Sequence, residues 1–302
     1  MVKTPKNDVN ACEDFLDIVT SGLIVASALA TLKLKSTDDT PGEEVLPKAE
    51  DLWAQPDNER RNWLNQLCRR VYDRFVSFNY NNNDSSLKVS YASDGVCAYS
   101  VQLLRLGCFY MEYSDAIREG DGRRVLRCWR YMLPMFLAAG NRNYACEAAN
   151  LLLQHLYTVS PRLSAQLLWS RFVNVHGLPG KNIAADLHME HLNRIAKEAI
   201  RFQGANKTDK AIARVGRAIG TLSTVLDNFD VHNQVPSTSS RQAKPDAQKD
   251  IKVVVNELVK CRSFDVEKGR KYNRFPKPKN VLNDKDREEI LTWIVTKLPH
   301  SF

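Results

Sequence analysis

Apolar residues recur at steps of three and four along most of this chain, and that period constrains the fold more than any other feature. Because an α-helix has 3.6 residues per turn, such spacing predicts amphipathic helices that each bury one side. One predicted apolar face includes Phe15, Val19 and Leu23, and another includes Trp63, Leu67 and Val71. Only LKVSYA, at residues 87–92, alternates as a strand would. The pattern therefore predicts an all-α, irregular multi-helix domain.

Turn-forming sequences divide this pattern into separate helices. Breaks fall at NNNDSS, EGDGRR, VHGLPGKN and GANKTDK. Gly140 is placed to end one helix, while Ser160 and Pro161 are typical of the N-cap and first position of another. We expect at least six helices within residues 8–232 and no sheet of more than two short strands.

Positive charge is concentrated near the C-terminus. The chain carries a formal net charge of +8, and residues 241–279 hold twelve Lys or Arg against five Asp or Glu. Proline, serine and charge favour a poorly ordered segment there. We therefore divide the chain into a helical domain, residues 8–232, and a flexible basic C-terminal tail, residues 233–302. The tail contains two short helices, near residues 247–262 and 284–298.

The sequence KGRKYNRFPKPK is the most basic part of this tail. A local positive block attracts phosphate backbones or acidic partners, and it is also the ordinary composition of a solvated linker. As a nucleic-acid-binding segment it would use Lys268, Arg270, Lys271, Arg274, Lys277 and Lys279. The same run has the charge of a nuclear localisation signal. We expect an intracellular, nuclear protein with nucleic acid or protein as its partner.

The most apolar stretch of the chain, residues 15–34, predicts a core helix. Asp17, Thr20 and Ser27 interrupt it, which argues against a membrane span and a membrane partner. The seven cysteines form no CxxC pair, so we expect reduced thiols in an intracellular compartment. With 43% hydrophobic residues, the 302-residue chain can form a substantial core.

The stretch ADLHMEHLNR, residues 185–194, concentrates histidines and acids in one predicted helix. At about 100° per residue, His188 shares a face with Leu192 and Ile195, which predicts that it is mostly buried. Asp186 and Glu190 lie on the other side, and the spacing of the zinc motif HExxH is not met. The stretch is therefore either an ordinary amphipathic helix or the source of carboxylates for a metal site completed elsewhere in the fold.

Other polar and aromatic features have ordinary structural interpretations. REGDGRR could receive an anion, but two glycines between helices predict a turn. Trp129 and Trp169 are predicted to be core anchors rather than surfaces on which bases stack.

Three long strings resemble a known family: DAIREGDGRRVLRCWRYMLPMFLAAGNRNYACEA, LLWSRFVNVHGLPGKNIAADLHMEHLNRIAKEAI and GANKTDKAIARVGRAIG. They are similar to a eukaryotic domain-of-unknown-function family whose members occur in transposon-like proteins. The resemblance covers roughly residues 94–230. By analogy with ribonuclease-H-like transposases, it implies Glu190 as a late catalytic acid and, with Asp186, a ligand of Mg²⁺.

The resemblance leaves one requirement of such a nuclease unmet. The earlier catalytic aspartates, which lie on a central sheet, have no counterpart here, so the chain resembles the C-terminal part of a transposase. We therefore expect a transposon-derived helical domain that has no activity alone and binds nucleic acid or protein. Two alternatives stay open: the C-terminal part of a metal-dependent transposase or nuclease, which would use Mg²⁺, and a plain helical scaffold.

Overall fold

The computed structural model describes residues 9–39, 54–77, 93–175, 177–202, 208–232, 247–271 and 284–297. These residues form ten α-helices: α1 (Val9–Leu32), α2 (Asp57–Val71), α3 (Gly95–Glu119), α4 (Gly122–Ala138), α5 (Arg142–Leu153), α6 (Pro161–Trp169), α7 (Ala185–Phe202), α8 (Asp209–His232), α9 (Ala247–Lys260) and α10 (Asp284–Lys297). Helices α2 and α5 continue into π-helical turns at Tyr72–Val76 and Gln154–Thr158. The all-α class is confirmed.

One short antiparallel ribbon accompanies the helices. It pairs β1 (Phe172–Val173) with β2 (Ile183–Ala184), with Phe172 opposite Ala184 and Val173 opposite Ile183. The ribbon lies within the predicted limit of two short strands. The strand candidate at residues 87–92 lies outside the described residues.

The predicted helix ends at Ser160 and Gly140 are confirmed. Ser160 Oγ accepts a hydrogen bond from the backbone N–H of Leu163, and Pro161 occupies the first helical position. Gly140 has a positive φ of 77°, and its N–H bonds the carbonyl of Leu137 after the end of α4. A glycine adopts this left-handed conformation without steric cost.

The chain forms two compact units whose boundaries differ from the predicted division at residue 232. Unit 1 comprises residues 1–111 and 245–280, and unit 2 comprises residues 112–244 and 281–302. Helix α3 contributes its first turns to unit 1 and its last turns to unit 2. Each unit therefore draws on both the region predicted as the helical domain and the region predicted as the tail.

Unit 1 is built on α1, which packs against α9 and α2. Helix α1 approaches α9 closely at Gly22, where an added Cβ would lie 2.5 Å from Cγ1 of Val254. One cluster of buried residues in unit 1 consists of Leu23, Ala26, Val71, Phe75, Cys97, Val101, Leu104 and Phe264. Phe264 meets Phe75 edge to face, with ring centroids 5.1 Å apart.

The prediction that residues 241–279 are poorly ordered is wrong for residues 247–271. Helix α9 and the turns after it are part of unit 1, because Val255 and Phe264 are almost completely buried in it. Buried apolar surface outweighs the basic composition, since burying each such side chain contributes about 1.5–3 kcal/mol. The two predicted tail helices are α9 and α10.

Unit 2 has a smaller core between α4, α5 and α10. Its buried residues are Leu133, Ala148 and Ala149, with Trp129, Phe136 and Trp293 packed around them. Helix α7 packs against α8 and the ribbon, and α6 packs against α4. At Gly122, the first residue of α4, an added Cβ would lie 2.3 Å from the carbonyl oxygen of Leu168 in α6.

One helix within the described ranges is long and apolar enough to cross a membrane. It is Ala11–Leu32, with a mean hydropathy of 1.9. A buried core helix or an N-terminal signal sequence meets the same criterion. In unit 1 this helix buries Leu23, Ala26 and Leu29 and also the polar side chains of Thr20 and Ser27.

Candidate nucleic-acid interface and pocket

Helix α7 has the two faces predicted from its sequence. His188 is mostly buried, as predicted, on the side that also holds Leu192 and Ile195. Asp186 and Glu190 are both exposed on the other side, one turn apart. One oxygen of Asp186 accepts the backbone N–H of Leu187.

Asp186 and Glu190 supply at most two carboxylates to a metal ion. Among the residues that the structure describes, no three His, Cys, Asp or Glu side chains come together in a group that could hold one. Two-metal phosphodiester chemistry needs several carboxylates around a pair of ions. A metal centre at Glu190 would need further ligands from outside the described residues or from another chain.

The structure divides the six basic residues of the predicted nucleic-acid segment into three groups. Lys268 and Lys271 are exposed. Arg274, Lys277 and Lys279 lie outside the described residues. Arg270 is directed into unit 1, where its guanidinium makes an ion pair with Asp94. That engagement removes Arg270 from the set of cations available to a phosphate.

The contacts of Arg270 use all three of its side-chain nitrogens. Nε and Nη2 donate to the carboxylate of Asp94, while Nη1 and Nη2 donate to backbone carbonyls. Those carbonyls belong to Cys261, Arg262 and Asp265. Asp94 also accepts the backbone N–H groups of Val96 and Cys97, and so caps α3.

Hydrogen bonding outweighs burial in setting the pKa of Asp94. Burial by itself raises the pKa, but the bonds from Arg270 and from the backbone N–H groups of Glu267 and Cys97 lower it below the usual value of 3.8. The carboxylate is therefore held in its charged form, and the pair with Arg270 is structural.

A row of exposed arginines runs along α4 in unit 2. Arg123, Arg127 and Arg130 are spaced i, i+4 and i+7, so they share one face of the helix. Helix α4 contains no acidic residue. Within the described part of the chain, none of the three forms an ion pair. We call these three residues the arginine row.

Arg124, the remaining arginine of α4, differs from the arginine row because it forms ion pairs. Its Nε and Nη2 donate to the carboxylate of Glu112, and Nη2 also donates to Asp115 at 2.7 Å. These hydrogen bonds raise the pKa of Arg124. Glu112 and Asp115 are thus paired with Arg124 and not with the arginine row.

The turn REGDGRR, which includes Arg123, does not offer the backbone amides of Arg123 and Arg124 to an anion. Oδ1 of Asp121 accepts the backbone N–H groups of Arg123 and Arg124, at 3.0 Å each. This N-cap supports the interpretation of the sequence as a turn.

An open pocket of about 470 Å³ adjoins the first turn of α4. Three polar side chains line it: Arg123 from α4, His155 from the π-helical turn and Ser164 from α6. Ser164 Oγ lies 2.5 Å from Nδ1 of His155. The apolar part of the lining is formed by Leu156, Val159, Pro161, Ala165 and Leu168.

The close packing of α4 on α6 positions Arg123 at this pocket. Because Gly122 has no side chain, the start of α4 can approach the backbone of Leu168, and Arg123 follows directly. Sequence reasoning missed the pocket, since Arg123, His155 and Ser164 come from three elements and form no motif. The only signals in the sequence were the break at EGDGRR and the helix start at Ser160.

Two exposed aromatic side chains belong to the elements that form the pocket. Tyr157, in the π-helical turn, is 79% exposed, and Trp169, at the end of α6, is 62% exposed. The prediction that Trp169 is a core anchor is wrong, because the inward position of α6 is taken by Leu168. Trp129 is partly buried against Phe136, as a core residue should be.

The fold defines an all-α multi-helix protein. The chain belongs to a family of unknown function, DUF6589, whose match covers residues 2–242. No curated protein and no solved structure matches the chain. Helix α9 and the turn with Phe264 and Arg270 lie beyond the matched residues but are part of unit 1.

Proposed function

We propose that this chain is a transposon-derived helical domain that binds single-stranded nucleic acid through unit 2 and has no catalytic activity alone. The observation that carries the binding is the arginine row, three exposed cations on a helix without acids. Guanidinium groups bind phosphate oxygens bidentately, and neighbours in the row are separated by one helical turn. The transposon origin rests on the sequence resemblance.

The choice of a single strand rests on the exposed aromatics. Proteins that bind single strands combine a cationic surface with aromatic side chains on which bases stack. Tyr157 and Trp169 offer such side chains on the two elements that, with α4, line the pocket. Lys268, Lys271, Arg274, Lys277 and Lys279 form a second cationic segment for the same kind of ligand.

A charge-matched pair of variants tests the arginine row. Arg127→Ala/Arg130→Ala removes two charges from α4, and Arg214→Ala/Arg217→Ala removes two exposed charges from α8. We expect the first variant to bind a mixed-sequence single-stranded oligonucleotide at least about tenfold more weakly, because about 1.4 kcal/mol of lost phosphate contact corresponds to a factor of ten. The second variant should retain most of the affinity. Equal losses would attribute binding to overall charge instead of the row.

A second candidate function is the C-terminal part of a metal-dependent transposase or nuclease. The observation that favours it is the exposure of Asp186 and Glu190 one turn apart on α7. In that function Glu190 is the late catalytic acid and Mg²⁺ the cofactor, with the remaining acids supplied by another chain or by a further part of a longer protein.

A further inference from the structure

We propose that the pocket beside the arginine row binds one nucleoside 5′-phosphate unit, with the phosphate on Arg123 and the base among the apolar residues. This inference rests on the proposed function, because it extends the nucleic-acid site from a contact with the phosphate backbone to a binding site for one nucleotide. Two kinds of ligand carry this nucleoside 5′-phosphate unit, a free mononucleotide and the 5′-phosphorylated end of a strand.

The pocket is large enough for such a unit, and it combines an apolar lining for the base with a cation for the phosphate. Its volume of about 470 Å³ falls within the range of small-molecule sites, about 300–1,000 Å³. Its apolar lining includes Leu156, Val159 and Ala165, against which a flat base can pack. Arg123 contributes the cation for the phosphate.

The His155–Ser164 pair supplies polar groups that can act as hydrogen-bond donors or acceptors. The hydroxyl either donates to Nδ1 or accepts from it, so Nε2 of His155 is correspondingly a donor or an acceptor. Base edges present both donors and acceptors, so this pair can serve any base. We therefore expect the pocket to select for the presence of a base and a phosphate and to discriminate little among bases.

The direct test titrates the full chain with adenosine 5′-monophosphate and follows the ring C–H signals of His155 by NMR at constant pH. We expect a saturable shift, with adenosine binding about tenfold more weakly because it lacks the charge-assisted bonds to Arg123. Ala165→Leu fills the pocket and should abolish the shift. Gln166→Leu adds a similar side chain at an exposed position outside the lining and should preserve it.

A second variant guards against a folding defect in Ala165→Leu. The Arg123→Gln variant should bind adenosine as tightly as the unchanged protein does. It should bind adenosine 5′-monophosphate no more tightly than adenosine. The same helical circular dichroism is required of all variants. The absence of any shift with the mononucleotide, or equal binding by Ala165→Leu and the unchanged protein, would overturn the inference.

Oligonucleotides separate this inference from the proposed function. A 5′-phosphate should strengthen binding of a short single strand about tenfold in the unchanged protein and not in Ala165→Leu, if the strand end is the source. Mononucleotide binding without a 5′-phosphate effect supports the pocket with a free nucleotide as ligand. Oligonucleotide binding without mononucleotide binding overturns the pocket and leaves the proposed function intact. Mononucleotide binding without oligonucleotide binding overturns the proposed function and leaves the pocket intact.

Discussion

Arg270 Nη2 lies 2.7 Å from a carboxylate oxygen of Asp94, and the side chain of Asp94 is fully buried. The two residues are 176 positions apart in the chain. Their ion pair fastens the turn after α9 to the start of α3 and so includes residues 261–271 in unit 1. A residue that its sequence context assigns to a basic tail is thereby part of a buried structural contact.

Replacing Arg270 with Met should destabilise unit 1 by about 3–5 kcal/mol, because it leaves a buried carboxylate without its partner. Lys271→Met is the matched control, since Lys271 is the exposed neighbour. Urea denaturation followed by circular dichroism measures both. Equal stability of the two variants would show that water or another cation replaces the guanidinium.

The lowered pKa of Asp94 predicts a specific acid sensitivity. A carboxyl group whose pKa is lower in the folded state stabilises the fold above its unfolded pKa, near 3.8, and that contribution is lost as the pH falls through the lowered folded value. Asp94→Asn should be less stable at neutral pH and should lose less stability below about pH 4. The exposed Asp73→Asn is the charge-matched control. An Asp94→Asn profile parallel to that of the unchanged protein would contradict this assignment.

Unit 1 should require residues beyond the match to the family. Phe264→Ala should cost about 3–5 kcal/mol, because Phe264 is 3% exposed and packs edge to face on Phe75. Val253→Ala on the exposed side of α9 should cost little. Deleting residues 236–280 should unfold unit 1, so the basic segment is better tested by substituting its lysines. A folded unit 1 after that deletion, detected by hydrogen exchange in α1, would refute the role of α9.

Two glycines of unit 2 should respond to alanine in opposite directions. Gly122→Ala places a methyl group against the backbone of Leu168 and should cost about 1–3 kcal/mol. Gly216→Ala, in α8, meets nothing within 4 Å and should stabilise by about 0.4–1 kcal/mol. Thermal denaturation of both variants checks the contrast. A stable Gly122→Ala would mean that α4 and α6 are packed less closely than the 2.3 Å approach at Gly122 indicates.

Purified chain should not cleave DNA or RNA with Mg²⁺ or Mn²⁺. The reason is that Asp186 and Glu190 provide two carboxylates, and no three His, Cys, Asp or Glu side chains of the described residues form a group that could hold a metal ion. Cleavage that Glu190→Gln abolishes and Glu198→Gln, an exposed neighbour on α7, leaves unchanged would establish the transposase alternative instead.

The sequence predicted those features that depend on neighbours along the chain. The period of apolar residues placed the helices, Ser160 and Gly140 marked their ends, and the two faces of α7 followed from residue spacing. Each of these depends on contacts within a few residues, where backbone geometry alone relates position to direction.

Features that depend on distant contacts were missed. Nothing near Arg270 indicates that Asp94 is its partner, and Phe264 follows a helix in a basic region without any local sign of burial. Trp169 and Leu168 are adjacent large hydrophobic residues, and only the packing of α6 on α4 decides which one is buried. The pocket of Arg123, His155 and Ser164 likewise exists only once three elements meet.

The salt dependence of single-strand binding tests the central claim most directly. Each phosphate contact contributes about 0.7 to the slope of log affinity against log salt for a single strand. Measured by fluorescence anisotropy between about 50 and 200 mM salt, Arg127→Ala/Arg130→Ala should therefore lower the magnitude of the slope by about 1.4, while Arg214→Ala/Arg217→Ala leaves it nearly unchanged. The same slope in all three proteins, or no binding by the unchanged chain at the lowest salt, would contradict the proposal that the arginine row holds the strand.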